Sequence, residues 1–289
     1  MACALKTTRP LICGAWLLAV LLVQLNVAAA DSVWRRPVVI GASASSGFIL
    51  SEPFGGTNTT KCKLNYYLDA AIQAPHESVK NLATALLFLR PEALGEKEIE
   101  AATNSNPTIV MGVDFLFWFC YGQGRTDSER AERFETGLKL LENIPCPLIV
   151  GDIPDASSAT NSGIISPAQV PSETARQAAN RRLLQWAANR PQVCVVALAD
   201  FMKHIVAGKE LYLHRHKLEV SETANLLQKD RLHPNPRGAA LLSLSVLDAY
   251  VARHPELNKD VNWNWKAVSE RGLNLANQSI IAAASAKKP

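Results

Sequence analysis

Val38-Val39-Ile40-Gly41-Ala42-Ser43-Ala44-Ser45-Ser46-Gly47 is the stretch from which the fold is read. Its first three residues form an apolar β-branched run, as suits a buried strand of a parallel sheet. At Gly41 the run gives way to small residues that continue to Gly47. In open parallel sheets ligands bind beyond the carboxyl ends of the strands, so Ser43 stands at the mouth of a site with little bulk around it. Far downstream, Asp230-Arg231-Leu232-His233-Pro234-Asn235 brings an acid and an imidazole three residues apart. That spacing sets both side chains on one side of a single turn. Serine, histidine and aspartate together are the parts of a nucleophilic hydrolase.

The two segments resemble the motifs of the GDSL, or SGNH, hydrolases. That family carries Gly-Asp-Ser-Leu after its first strand and Asp-x-x-His near its C-terminus. Gly41-Ala42-Ser43-Ala44 stands at the first motif, with Gly47 at the usual later glycine, and Asp230-Arg231-Leu232-His233 at the second. Pro234-Asn235 and Gly238 fit the second motif's common continuation, and the resemblance runs from Val38 to Val251. It implies Ser43 as nucleophile, His233 as base and Asp230 as the group that orients the imidazole. No cofactor is implied. It also implies an oxyanion site built from the Ser43 amide, a backbone N–H near Ala83, and the third motif, Gly-x-Asn-Asp. Here Gly112-Val113-Asp114-Phe115 holds that third place, with aspartate for asparagine. An ionised carboxylate only accepts hydrogen bonds and repels a developing oxyanion. Three ways out are open: a protonated Asp114 in an apolar pocket, another donor, or weak catalysis. On the oxyanion placement, Asp114→Asn restores a donor and speeds ester hydrolysis at neutral pH. Ala42, where the motif has aspartate, removes a supporting contact.

Residues 1–30 read as a secretory signal peptide. Lys6 and Arg9 precede an apolar core from Leu11 to Val27, and Ala28-Ala29-Ala30 supplies an A-x-A cleavage site. The competing reading is an uncleaved membrane anchor. No later stretch is apolar for long enough to span a bilayer, so no stable membrane association is expected after cleavage, and the product is secreted or periplasmic. Cleavage leaves 259 of the 289 residues, enough for one α/β domain over 31–257, followed by a tail over 258–289. Loss of Lys6 and Arg9 takes the basic count from 30 to 28 against 26 acidic residues. The charges are interspersed, which argues against a nucleic-acid partner. Cys62, Cys120, Cys146 and Cys194 remain; their spacings match no disulfide scaffold or metal motif. A Cys146–Cys194 bridge and buried free thiols are both compatible with the sequence.

Along the chain, strands are expected at 38–40, 78–83, 108–113, 147–151 and 193–199. Helices are expected at 64–74, 95–104, 128–143 with Ser128 as cap, 172–189 with Ser172 as cap, and 236–253 behind Asn235 and Pro236. The aromatic run Phe115, Phe117, Trp118, Phe119, Tyr121 reads equally as a substrate wall and as core. Asp152 and Asp155 read as turn caps, or as contacts to substrate or a cation, and 157–171 as a lid loop. A hairpin at Gly208-Lys209 is expected to join Ile205-Val206 to Leu211-Tyr212-Leu213. His204, His214 and His216 lack the acidic or thiol partners of a metal site. A last amphipathic helix near 273–284 packs or trails off.

Alternating strands and helices give a doubly wound, flavodoxin-like parallel sheet of about five strands in three α/β/α layers. The function expected from the resemblance is hydrolysis of a carboxylic ester, from a lipid, an acetylated glycan or a small molecule, by Ser43, His233 and Asp230. Ala83, Gly112 and Asp114 are the expected oxyanion and substrate-binding residues. The alternatives are an inactive ligand-binding protein on the same scaffold, and a phosphate-cradling loop at 41–47. The last lacks a P-loop lysine and leaves Asp230 and His233 unexplained. Nothing in the sequence fixes the oligomeric state.

Overall fold

The computed structural model describes residues 32–122, 126–214 and 216–286. The expected signal segment lies outside the described residues. The described elements are β1 (Pro37–Val39), α1 (Leu64–Ala71), β2 (Lys80–Asn81), α2 (Pro91–Thr103), β3 (Ile109–Gly112), α3 (Asp127–Leu141) and β4 (Leu148–Gly151). They continue with α4 (Glu173–Ala188), β5 (Val193–Val196), α5 (Leu198–Val206), β6 (Leu211–Leu213), β7 (His216–Leu218), α6 (Pro236–Val251) and α7 (Trp265–Ser285). Shorter helical turns lie between them, one of which, Ser43–Ser46, carries the serine.

Five strands pair in the order β2-β1-β3-β4-β5, all parallel, with Val38 beside Lys80 on one side and Val110 on the other. Side chains alternate along each strand. Val38, Ile40, Val110, Leu148 and Val150 face a layer formed by α2, α3 and α4. Val39, Ile109, Met111, Ile149 and Val196 face the opposite layer, formed by α1, α6 and α7. The fold is thus a three-layer α/β/α sheet. Its strand order reverses between β1 and β3, and there the loops leave in opposite directions and open a crevice. Ser43 follows β1 and Asp114 follows β3, so both stand at that crevice.

Several boundaries differ from expectation. Helix α2 begins at Pro91, where a missing N–H costs nothing at N1. Helix α3 is capped by Thr126, whose side chain and that of Glu129 form a reciprocal capping box. The largest difference is at 198–218. Leu198, Phe201, Met202 and Ile205 recur at helical spacing and form α5, and the hairpin is instead β6 against β7. The 157–171 segment carries two short 3₁₀ turns anchored by the fully buried Ala159 and Ile165. The C-terminal segment is part of the domain: Val268 and Ala276 of α7 are buried, and Gly272 lies so close to Tyr67 that a Cβ there would come within 2.4 Å of its ring. Cys62, Cys120, Cys146 and Cys194 are free thiols.

Candidate active site

The serine turn is held from beneath by one carboxylate. Asp114 Oδ1 accepts from the Ala42 N–H at 3.0 Å and the Ser45 hydroxyl at 2.6 Å. Its Oδ2 accepts from the Ala44 N–H at 2.8 Å and the Ser45 N–H at 3.2 Å. Gly41 makes this approach possible: its φ is +139°, and a Cβ there would sit 2.2 Å from Asp114 Oδ1. Asp114 is buried, and burial pushes its carboxyl up, against four hydrogen bonds that pull it down. All four lone-pair directions meet donors, the arrangement an acceptor-only group requires. Asp114 thus ties the serine turn after β1 to the end of β3.

A second buried acid, which the sequence reading passed over, completes this base. Glu98 of α2 accepts from the Gly41 N–H at 2.8 Å and from the Thr84 N–H at 3.0 Å. It thereby ties the loop after β1 to the loop after β2. Burial is the main cause that pushes Glu98 up to about 8, with the Asp114 charge adding to it and the two backbone donors opposing. The only sequence cue was a glutamate at a position where Gly95, Ile99 and Ala102 mark the buried face of α2.

Asp230 and His233 occupy the tight turn before α6. Asp230 Oδ1 accepts from the backbone N–H groups of Leu232 and His233, each at 3.0 Å, and Oδ2 pairs with His233 Nδ1 at 2.8 Å. Arg231 is left-handed at φ 59°, which lets the turn fold the imidazole back over the carboxylate. Burial alone would raise Asp230; the side-chain hydrogen bond and charge of His233, with the two backbone donors, outweigh it and hold the group below its ordinary range. Asn235 accepts from the N–H groups of Arg237 and Gly238 and so caps α6 two residues after the histidine. His233 Nε2 lies 2.8 Å from Ser43 Oγ, and the Phe48 ring packs on the imidazole with centroids 4.4 Å apart. Ser43, His233 and Asp230 are one continuous hydrogen-bonded chain.

The other expected site residues stand differently. The Ala83 N–H donates to Asn81 Oδ1 at 3.0 Å and is taken up there. Ala85, two residues on, lines the cleft with Ser43 and His233. Gly112 ends β3 beside Val150 and packs beneath the site, where a Cβ would press on Ile40 at 3.1 Å. Of the aromatic run, Phe115, Phe119 and Tyr121 are fully buried in the core, whereas Phe117 and Trp118 line clefts that meet at Ser43. Asp155 accepts from the Ser157 N–H two residues on and holds a turn, whereas Asp152 accepts from the Ala199 N–H at the start of α5 and ties that helix to the end of β4. His214 pairs with Asp248 and stacks on Trp263, and His204 pairs with Asp200, well apart in role from any shared site.

No known family model and no curated protein matches the chain. Among solved structures it is similar to the crystal structure of protein YxiM from Bacillus subtilis, at 16% identity and a TM-score of 0.48, over 76% of this chain and 57% of that one. The chain thus spans little more than half the length of that neighbour.

Proposed function

We propose that the protein is a serine ester hydrolase of the SGNH type. Ser43 Oγ attacks the ester carbonyl carbon while His233 Nε2 takes the hydroxyl proton, and Asp230 holds Nδ1–H and stabilises the imidazolium. The tetrahedral oxyanion faces the Ser43 N–H, which donates to no acceptor among the described residues. On collapse the alkoxide leaves with the proton from His233. Water, activated by the same imidazole, then releases the acid from the acyl-serine. The observation that carries this reading is the chain of two 2.8 Å hydrogen bonds from Ser43 through His233 to Asp230. Asp114, bound to the serine turn, acts here by fixing the nucleophile's backbone and takes no part at the oxyanion.

The test is a serine-directed phosphonate followed by peptide mass spectrometry. The adduct is expected on Ser43, and Ser43→Ala is expected to lose about 10⁴-fold or more in aryl-ester hydrolysis. A label on Ser45 or Ser46, or full activity without the Ser43 hydroxyl, would overturn the assignment. We also propose that residues 1–30 direct export, on the strength of the basic start, apolar core and Ala28-Ala29-Ala30. Among the described residues no helix is long and apolar enough to cross a membrane. The exported protein is expected to begin at or next to Asp31; recovery only from membranes with Met1 or Ala2 still attached would make the segment an anchor.

A further inference from the structure

Two clefts meet at Ser43 and His233. One, under α5, holds about 50 Å³, and the other, along the loops after β1 and β2, holds about 320 Å³. A water-sized group needs roughly 10–15 Å³ of such space. The first cleft therefore takes a few atoms, and the bulk of a ligand belongs in the second. The rings of Phe48, Phe54, Phe88 and Trp118 line that larger cleft. Phe54 is 89% exposed at its edge, whereas Trp118 is only 6% exposed. The Phe88 and Trp118 centroids lie 5.7 Å apart, and Phe48 packs on the His233 imidazole.

Beyond Ser43 and His233, the polar side chains of this cleft are of one kind. Trp118 Nε1 is buried and meets no acceptor among the described residues. An indole N–H is a donor only, and a buried one usually has a partner. Gln169 has its Oε1 taken by the Ser166 N–H at 2.8 Å, which leaves Nε2 to donate. Outside the catalytic pair, the side chains thus offer a ligand two N–H donors and no acceptor.

That pairing of rings with donors narrows the ligand. A sugar brings several hydroxyls, each of which must itself donate, and finds no side-chain acceptor here. A plain hydrocarbon leaves the Trp118 N–H unpaired, and an unmet buried donor is worth about 5- to 150-fold in binding. An aromatic ring packs offset or edge-on against ring walls, and an ether or carbonyl oxygen on it only accepts. Resting on the hydrolase reading, we propose that the larger half of the ester is an aromatic ring bearing such an acceptor-only oxygen. The ring lies in the cleft edged by Phe54 and its oxygen accepts from Trp118 Nε1–H. Trp118 is thereby a specificity-determining residue, and the other half of the ester is limited to a few atoms.

The experiment measures kcat/KM by pH-stat for acetates of cyclohexylmethanol, benzyl alcohol, 3-hydroxybenzyl alcohol and 3-methoxybenzyl alcohol. A second series uses ethyl esters of the corresponding ring-bearing acetic acids, which moves the ring from the leaving alcohol to the acyl group. In one series the methoxy ester is expected to exceed the hydroxy and unsubstituted ones at least fivefold, and the unsubstituted aryl ester to exceed the cyclohexyl one. Trp118→Phe keeps a ring and removes the donor, so its methoxy-to-unsubstituted ratio is expected to fall to near one. Should that variant not fold, Gln169→Met, which removes the other donor, is expected to lower the ratio at least twofold. Equal rates across both series, or a ratio that the deciding variant leaves unmoved, overturns the aryl site. A phosphonate adduct on Ser43 in such a protein leaves the hydrolase reading standing. Should no ester be cleaved and no phosphonate react, the hydrolase reading fails, and the cleft is judged by titrating 3-methoxybenzyl alcohol while following the indole N–H resonances. A shifted indole signal with no such shift under benzyl alcohol keeps the cleft as an aryl site, and the absence of any shift removes it.

Discussion

At Asp114 a single residue changes meaning between sequence and structure. Aligned by motif, it stands where an oxyanion donor is expected, and asparagine there should accelerate hydrolysis. In three dimensions its two oxygens take four donors from the serine turn. Asparagine replaces one of those oxygens with an NH₂ that would face N–H or O–H donors. A buried donor left without an acceptor costs about 1–3 kcal/mol, and here the loss falls on the backbone that carries the nucleophile. Asp114→Asn is therefore expected to be less stable in urea and to lose about 10- to 100-fold in kcat. A faster mutant would return Asp114 to the oxyanion. Asp230→Asn should behave differently. Its Oδ1 can keep both backbone donors, but its NH₂ then faces His233 Nδ1 and imposes the wrong tautomer. The expected result is a fall of about 10⁴ in kcat with a change in melting temperature smaller than that of Asp114→Asn. Comparable melting losses for the two would show that the carboxylate's charge, more than the tautomer, is what position 230 supplies.

At the scale of elements, the sequence is readable wherever one segment carries its own instructions. Strands β1, β3, β4 and β5 announce themselves as β-branched runs, unlike the Lys80-Asn81 of β2, and α4 and α6 start where Ser172 and Asn235 cap them. Asp-x-x-His is legible for the same reason, since both partners and the backbone donors lie within one turn. Segment 201–206 misleads because Ile205-Val206 look like a strand end, whereas the spacing of Leu198, Phe201, Met202 and Ile205 is helical. Glu98 and the engagement of Ala83 are illegible from sequence. Glu98 depends on which helix face meets which loops across the crevice, contacts that separate residues by 57 and 14 positions, whereas the Ala83 N–H is taken up two residues away by Asn81, in a turn that carries no sequence signature of its own. Helix α7 is a further case, because nothing in its own sequence says what Gly272 faces. Its closeness to Tyr67 implies that Gly272→Ala forces the ring or the helix to move, at about 1–3 kcal/mol. A melting temperature lowered by several degrees, with the rates of Ser43 chemistry little changed, is the expected outcome. An unchanged melting temperature would mean that α7 is loosely held and not part of the core.

Across the whole molecule, the crevice of the sheet gathers acids from separate elements around one serine turn: Asp114 after β3, Glu98 on α2 and Asp230 before α6. Their protons respond to pH in opposite senses. Asp230 is held low, so it favours the fold above the ordinary carboxylate range and withdraws that support as pH falls through its folded value. Glu98, raised from 4.5 to about 8, acts the other way. Between those values the folded chain keeps a proton that the unfolded chain has released, so stability declines as pH rises through the window and the contribution is gone above it. Asp114 is displaced in the same direction. Glu98→Gln cannot ionise, and although it loses one acceptor and is less stable in acid, it lacks this decline. Urea unfolding from pH 5 to 9 is expected to give a wild-type free energy that falls with pH and a Glu98→Gln free energy that falls less. The difference in slope reports Glu98 together with its coupling to Asp114, because every other titrating group is common to both proteins. Parallel curves would mean that Glu98 is ionised throughout, held by the Gly41 and Thr84 N–H groups strongly enough to overcome its burial. The base of the serine turn would then carry two negative charges at neutral pH.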